Sequence, residues 1–178
     1  MNPPIAMPNL RRLFARKPEP REALRPLWHR VVEISRERDW YAHCGVADTV
    51  AGRFDMITAV LALVLLRLES DADCGAQSAL LTELFVEDMD GQLRESGIGD
   101  LVVGKHIGKL MASLGGRLGA YRVAIAERSD RVLENAVLRN VTLAGEAGPE
   151  ALAKRLRALA NQLGRLAPAD LLAARIER

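Results

Sequence analysis

The stretch "GIGDLVVGKH", Gly97 to His106, holds the arrangement most suggestive of chemistry, with Gly99, Gly104 and Lys105 at the spacing G-x-x-x-x-G-K-[ST]. In that motif backbone N–H groups cradle phosphates, the lysine reaches them and the closing hydroxyl holds magnesium. Two features argue against it here. His106 stands where the Ser or Thr is needed, and the residues before the loop carry helical rather than strand periodicity, so no βα turn is available.

Other catalytic constellations are thin. His29, His43 and His106 fall in separate elements, with no H-E-x-x-H pair and no serine elbow. Cys44 follows His43 directly, but adjacent residues on a helix or strand point different ways, and a thiol nucleophile needs a third group. Glu87, Asp88 and Asp90 crowd one turn, yet calcium loops place ligands at alternate positions of a glycine-punctuated loop and this segment reads as continuous helix. The expectation is a protein without catalysis, metal or cofactor.

The elements that position these residues read as helices. Apolar residues make up 49% of the 178 and aromatics only 4%, with Leu, Ala and Val dominating, a balance that favours helix over sheet. From Arg21, the residues Leu24, Leu27, Trp28, Val31, Val32 and Ile34 recur at steps of three and four, and the run is expected to close near Trp40 and Tyr41. After the connector "GVADTVAGRF", a helix from about Arg53 to Glu69 is nearly all apolar and should be the most buried. A third starts at Asp73 or Ser78 and ends at Gly97, and a fourth runs from Asp100, a good N-cap type, to about Arg128. Weaker helices span Asp130 to Leu143, Pro149 to Leu163 and Pro168 to the end. The fold class is all-α, a compact multi-helix bundle over residues 21–178, preceded by a flexible arm over 1–20.

That arm, "MNPPIAMPNLRRLFARKPEP", is rich in proline and basic. Leu10, Leu13 and Phe14 could share one side of a short helix with Arg11 and Arg12 on the other, the layout of a membrane-contacting segment, or the apolar residues could be incidental to a disordered tail. The longest apolar run, Met56 to Leu66, is too short to cross a bilayer as a helix. Cys44 and Cys74 lack C-x-x-C spacing and follow no cleavable signal, which fits a reduced cytoplasmic setting, peripheral on the inner face of the inner membrane where the arm binds it.

A net charge of +2 does not announce a nucleic-acid binder, and no nucleic acid is expected as partner. Its distribution is polarised. Glu69 to Asp100 holds nine acids against Arg94, and Leu101 to Asn140 seven bases against three acids. In the fourth helix Gly104, Gly108, Ala112, Gly115 and Gly119 place small side chains along one face. Glycine inside a helix costs about 0.5–1 kcal/mol against alanine, so close approach of another helix is the expected reason. The commoner case is a neighbour in the same domain; the other is a partner helix. The acidic turn likewise reads either as a solvated face or as a surface for a basic partner.

In order and spacing, "GVADTVAGRFDM", "LFVEDMDGQLRESGIGDLVVGKHIGKLM" and "GRLGAYRVAI" resemble the ubiquinol-cytochrome c chaperone family over roughly Leu24 to Ala126. Asp48, Arg53, Phe54 and Asp55 match its first block, Asp88, Asp90 and Arg94 its second, and Gly104, Lys105, Arg117 and Tyr121 its third; Glu87 replaces an Asp. The resemblance implies an all-α, non-catalytic assembly factor for respiratory complex III whose partner is newly made cytochrome b or another complex III subunit. The residues expected to meet it are those matches with Glu87, Gly108 and Gly115 from the acidic turn and small-residue face. Mitochondrial members also contact the mitochondrial ribosome; that contact stays open because the basic arm here is short. A structural or regulatory helical protein at the membrane surface is the alternative.

Overall fold

In a computed structural model, residues 19–95 and 100–177 are described. Helices α1 (Arg25–Ser35), α2 (Arg38–Ala42), α3 (Val50–Glu69), α4 (Gly75–Glu95), α5 (Asp100–Ala126), α6 (Asp130–Asn140), α7 (Glu150–Arg165) and α8 (Pro168–Leu172) follow one another in an all-α bundle. The only β pairing among the described residues is an isolated antiparallel bridge between Val46 and Leu143.

α3 is the centre. Every residue from Asp55 to Leu65 is buried, and α1, α4, α5 and α7 pack around it. An apolar surface on all sides leaves a helix no stable place except the middle of a core. The Thr49 hydroxyl caps its first turn by accepting from the Gly52 N–H at 3.2 Å.

One expected helix is two. α1 stops at Ser35, two residues before α2 begins its approach, although apolar spacing continues to Trp40 and Tyr41. The indole Nε1 of Trp40 donates to the Ile34 carbonyl at 2.6 Å, and the Tyr41 hydroxyl to the Ser35 carbonyl at 2.8 Å. The aromatic side chains thereby satisfy carbonyls left open at the end of α1, and the chain bends back over itself. Arginines close other helix ends. Arg67 donates to the Leu163 and Leu166 carbonyls at 3.1 and 2.8 Å, and Arg157 to that of Ala124 in the last turn of α5 and those of Glu127 and Ser129 just after it.

Candidate functional site

The charged residues singled out along the sequence separate in space into an interior node and an exposed face. Asp55, on the second turn of α3, is buried. Its Oδ2 accepts from the Thr142 N–H at 2.9 Å and hydroxyl at 2.7 Å, while Oδ1 accepts from Arg117 Nη2 at 2.5 Å. Arg117 also donates to the Asn140 carbonyl at 3.2 Å and the Ser113 hydroxyl at 2.8 Å, and its guanidinium lies 5.3 Å from the Phe54 ring centroid. A charge buried this far is tolerable because it is paired and hydrogen-bonded on several sides.

Tyr121, one turn beyond Arg117, is 0% exposed, and its hydroxyl reaches no partner among the described residues. Burial pushes its ionisation well above the ordinary range. Asp55, Arg117 and Tyr121 therefore pin α3, α5 and the segment after α6 together, and Asp55 and Tyr121 present nothing to a visiting surface. Asp48 and Arg53 differ: they form an exposed pair at 2.7 Å, and the hydrogen bond from Arg53 holds the Asp48 carboxyl below its usual range.

The acidic turn of α4 is partly answered from within the chain. Glu87 faces Arg21 at 3.6 Å and Arg25 at 3.7 Å, Asp90 pairs with Arg94 at 2.9 Å, and Asp88 accepts from Gln92 at 3.3 Å. These contacts relieve the repulsion that three acids in one turn would otherwise feel.

The small-residue stripe lies on the outside of α5. Gly108, Ala112, Gly115 and Gly119 are exposed, and a Cβ added at Gly108, Gly115 or Gly119 would meet nothing within 4 Å. The expected packing against a helix of the same domain is therefore corrected at these positions. The inner side of α5 is carried instead by Leu114, Tyr121 and Ala124.

Met111, 40% exposed, and Val123, 59% exposed, extend the bare face, and from Met111 to Gly119 its exposed residues carry no charge. Sequence reasoning stopped at Gly119, although Val123 continues the same step of four. A groove of about 410 Å³ runs beside this face between α4 and α5, floored by Val86, Ile107 and Met111 and edged by Glu83, Glu87 and Asp90. A wider one, about 700 Å³, opens where Val50, Phe54 and Ile57 of α3 meet Met89 and Leu110. Arg53 and Phe54 in its lining are among the residues expected to meet a partner, while Ile57, Met89 and Leu110 come from three helices whose apolar spacing reads only as core.

The surroundings of Gly104 and Lys105 on α5, and the arm residues Leu10, Arg11, Arg12, Leu13 and Phe14, lie outside the described residues, as do Gly97 and Gly99. No helix among the described residues is long and apolar enough to cross a membrane, and no cluster of His, Cys, Asp and Glu there could hold a metal ion.

Comparison with known proteins adds three findings. The sequence profile described as ubiquinol-cytochrome C chaperone matches residues 42–177. A solved structure described as the Cbp3 homolog from Brucella abortus is similar at 29% identity and a TM-score of 0.78, over 95% of this chain and 96% of that one. A search of curated proteins gave no match.

Proposed function

Because the chain belongs to the ubiquinol-cytochrome c chaperone family, we propose that it captures newly made cytochrome b, or another complex III subunit, during assembly of the cytochrome bc complex. The observation that carries the reading is the bare outer face of α5. A solvated helix surface ordinarily carries charged and polar side chains, whereas between Lys109 and Arg122 the exposed residues here are Met111, Ala112, Gly115, Gly116 and Gly119. Membrane helices associate through such small-residue faces, which let backbones approach closely. A helical segment of a membrane protein not yet in its complex has the matching chemistry.

The acidic edge of α4 is the second part of the surface. Glu83, Asp88 and the outward side of Glu87 would receive basic residues flanking an apolar client helix, the positions where membrane proteins concentrate Lys and Arg. Asp48, Arg53 and Arg94 would contribute at the periphery. The arm, through Leu10, Leu13 and Phe14 with Arg11 and Arg12, would hold the domain at the membrane surface where the client emerges. Non-catalytic capture needs only these surfaces, and no reacting group is assigned.

The test is capture of cytochrome b from detergent-solubilised membranes by tagged wild-type protein and by Gly115→Leu. The added side chain starts into open space, so the variant should keep the wild-type circular dichroism spectrum and an unfolding midpoint no lower than wild type. Capture should fall at least tenfold. Unchanged capture by a folded Gly115→Leu protein would remove α5 from the binding surface. Independently, membranes from cells lacking this chain should lose the reduced-minus-oxidised heme b signal; retention of the signal would remove complex III assembly itself.

A further inference from the structure

The groove between α4 and α5 has properties that the bare face alone does not. Its floor is apolar, its rim is acidic, and it contains polar atoms without partners: Arg21 Nε and Asp90 Oδ1 are buried and make no hydrogen bond among the described residues. Arg21 itself lines the groove, so the chain preceding α1 departs from its edge.

The residues that lead into that edge are complementary. Leu10, Leu13 and Phe14 supply an apolar set, and Arg11, Arg12, Arg16 and Lys17 supply four positive charges opposite Glu83, Glu87 and Asp90. Phe14 is seven residues from Arg21, a reach of about 25 Å when extended, so the arm can fold back without strain. We propose that the arm docks in this groove of its own chain, with Leu10, Leu13 and Phe14 on Val86, Ile107 and Met111 and its arginines on the acidic rim.

The docked arm covers Met111 and with it one border of the bare face. It is then an internal occupant that a client must displace, and its apolar side cannot be in the groove and in a membrane together. Membrane contact would accordingly clear the groove. That consequence rests on the client reading above; the docking does not.

The experiment uses the full chain carrying Ala15→Cys and a nitroxide on the new thiol. Cys44 and Cys74 are buried, so the label goes to position 15. Methyl NMR should then show loss of Ile107 and Met111 intensity in the labelled protein, while Val123, about 24 Å beyond Ile107 and about 18 Å beyond Met111 along α5, keeps more of its signal. Adding Arg11→Glu, Arg12→Glu and Arg16→Glu should restore Ile107 and Met111, since reversed charges face the acidic rim. Glu83→Lys should weaken the loss from the other side. Undiminished Ile107 and Met111 signals, or equal loss at Val123, would overturn the docking. So would loss that appears only when labelled protein is mixed with isotope-labelled, unspun copies, which would place the arm on a second molecule. Client capture is measured separately, so the arm can fail to dock while the α5 face still binds, and the reverse.

Discussion

Gly52 and Gly115 are both helical glycines, and a methyl group added to each would meet opposite surroundings. At Gly52, near the start of α3, it would collide with the carbonyl oxygen of Ala47. At Gly115, midway along α5, it would meet nothing within 4 Å. The first glycine is required by the fold, because the chain entering α3 passes directly over it. The second is not required by anything inside the molecule. Under the proposed function, that second glycine leaves room for a surface that must come close. The same division runs through α5 as a whole, between an inner side fixed by Arg117 and Tyr121 and an outer side left bare.

The largest expected effect lies on the inner side. Asp55→Ala leaves the Arg117 guanidinium buried without its carboxylate, and breaking a buried pair in this way costs about 3–5 kcal/mol. Urea unfolding should show it as a large fall in midpoint; a loss below 1 kcal/mol would mean that water reaches Arg117 and that the node is not an interior feature. Next comes Gly52→Ala, expected to destabilise by about 1–3 kcal/mol through overpacking against backbone. The same substitution at Gly115 should do the reverse, stabilising by about 0.5–1 kcal/mol through helix propensity. Equal signs at the two positions would break the comparison. Tyr121→Phe, which removes a buried hydroxyl lacking a partner, should leave stability within about 1 kcal/mol of wild type or raise it.

The smallest effect is electrostatic and belongs to the surface. The Asp48 carboxyl sits below its ordinary value of 3.8 because Arg53 donates to it. A depressed carboxylate contributes stability that is present above that ordinary value and lost as pH falls through the lowered one. Arg53→Ala should therefore lower stability slightly at neutral pH, where the contribution is fully present, and the difference from wild type should vanish as pH falls well below 4. An effect at neutral pH as large as that of Asp55→Ala would make this exposed pair part of the core.

Periodicity was sufficient for much of this arrangement, and its failures have physical causes. The burial of α3 is legible because it has no polar side, and the start of α5 at Asp100 because the residue type suits a cap. The break between α1 and α2 is not, since Trp40 and Tyr41 fit the apolar spacing while their polar atoms do the capping. The small-residue stripe was readable as a face, but α5 is apolar on both sides, so spacing could not say which side turns inward. Asp55 was readable as a matched residue, but its inward role depends on Arg117 and Thr142, far along the chain. The groove between α4 and α5 needs the tertiary placement of Arg21 and was invisible beforehand.

That separation has a consequence in time. Arg117 lies 62 residues and Thr142 87 residues after Asp55. At a synthesis rate of about 5–20 residues per second, Asp55 of the most apolar helix is made roughly 4–17 s before Thr142. Through that interval α3 has α1 beside it but not yet α7, and its carboxylate lacks the two Thr142 donors. A member of a family that attends to other unfinished chains thus spends its own first seconds as one.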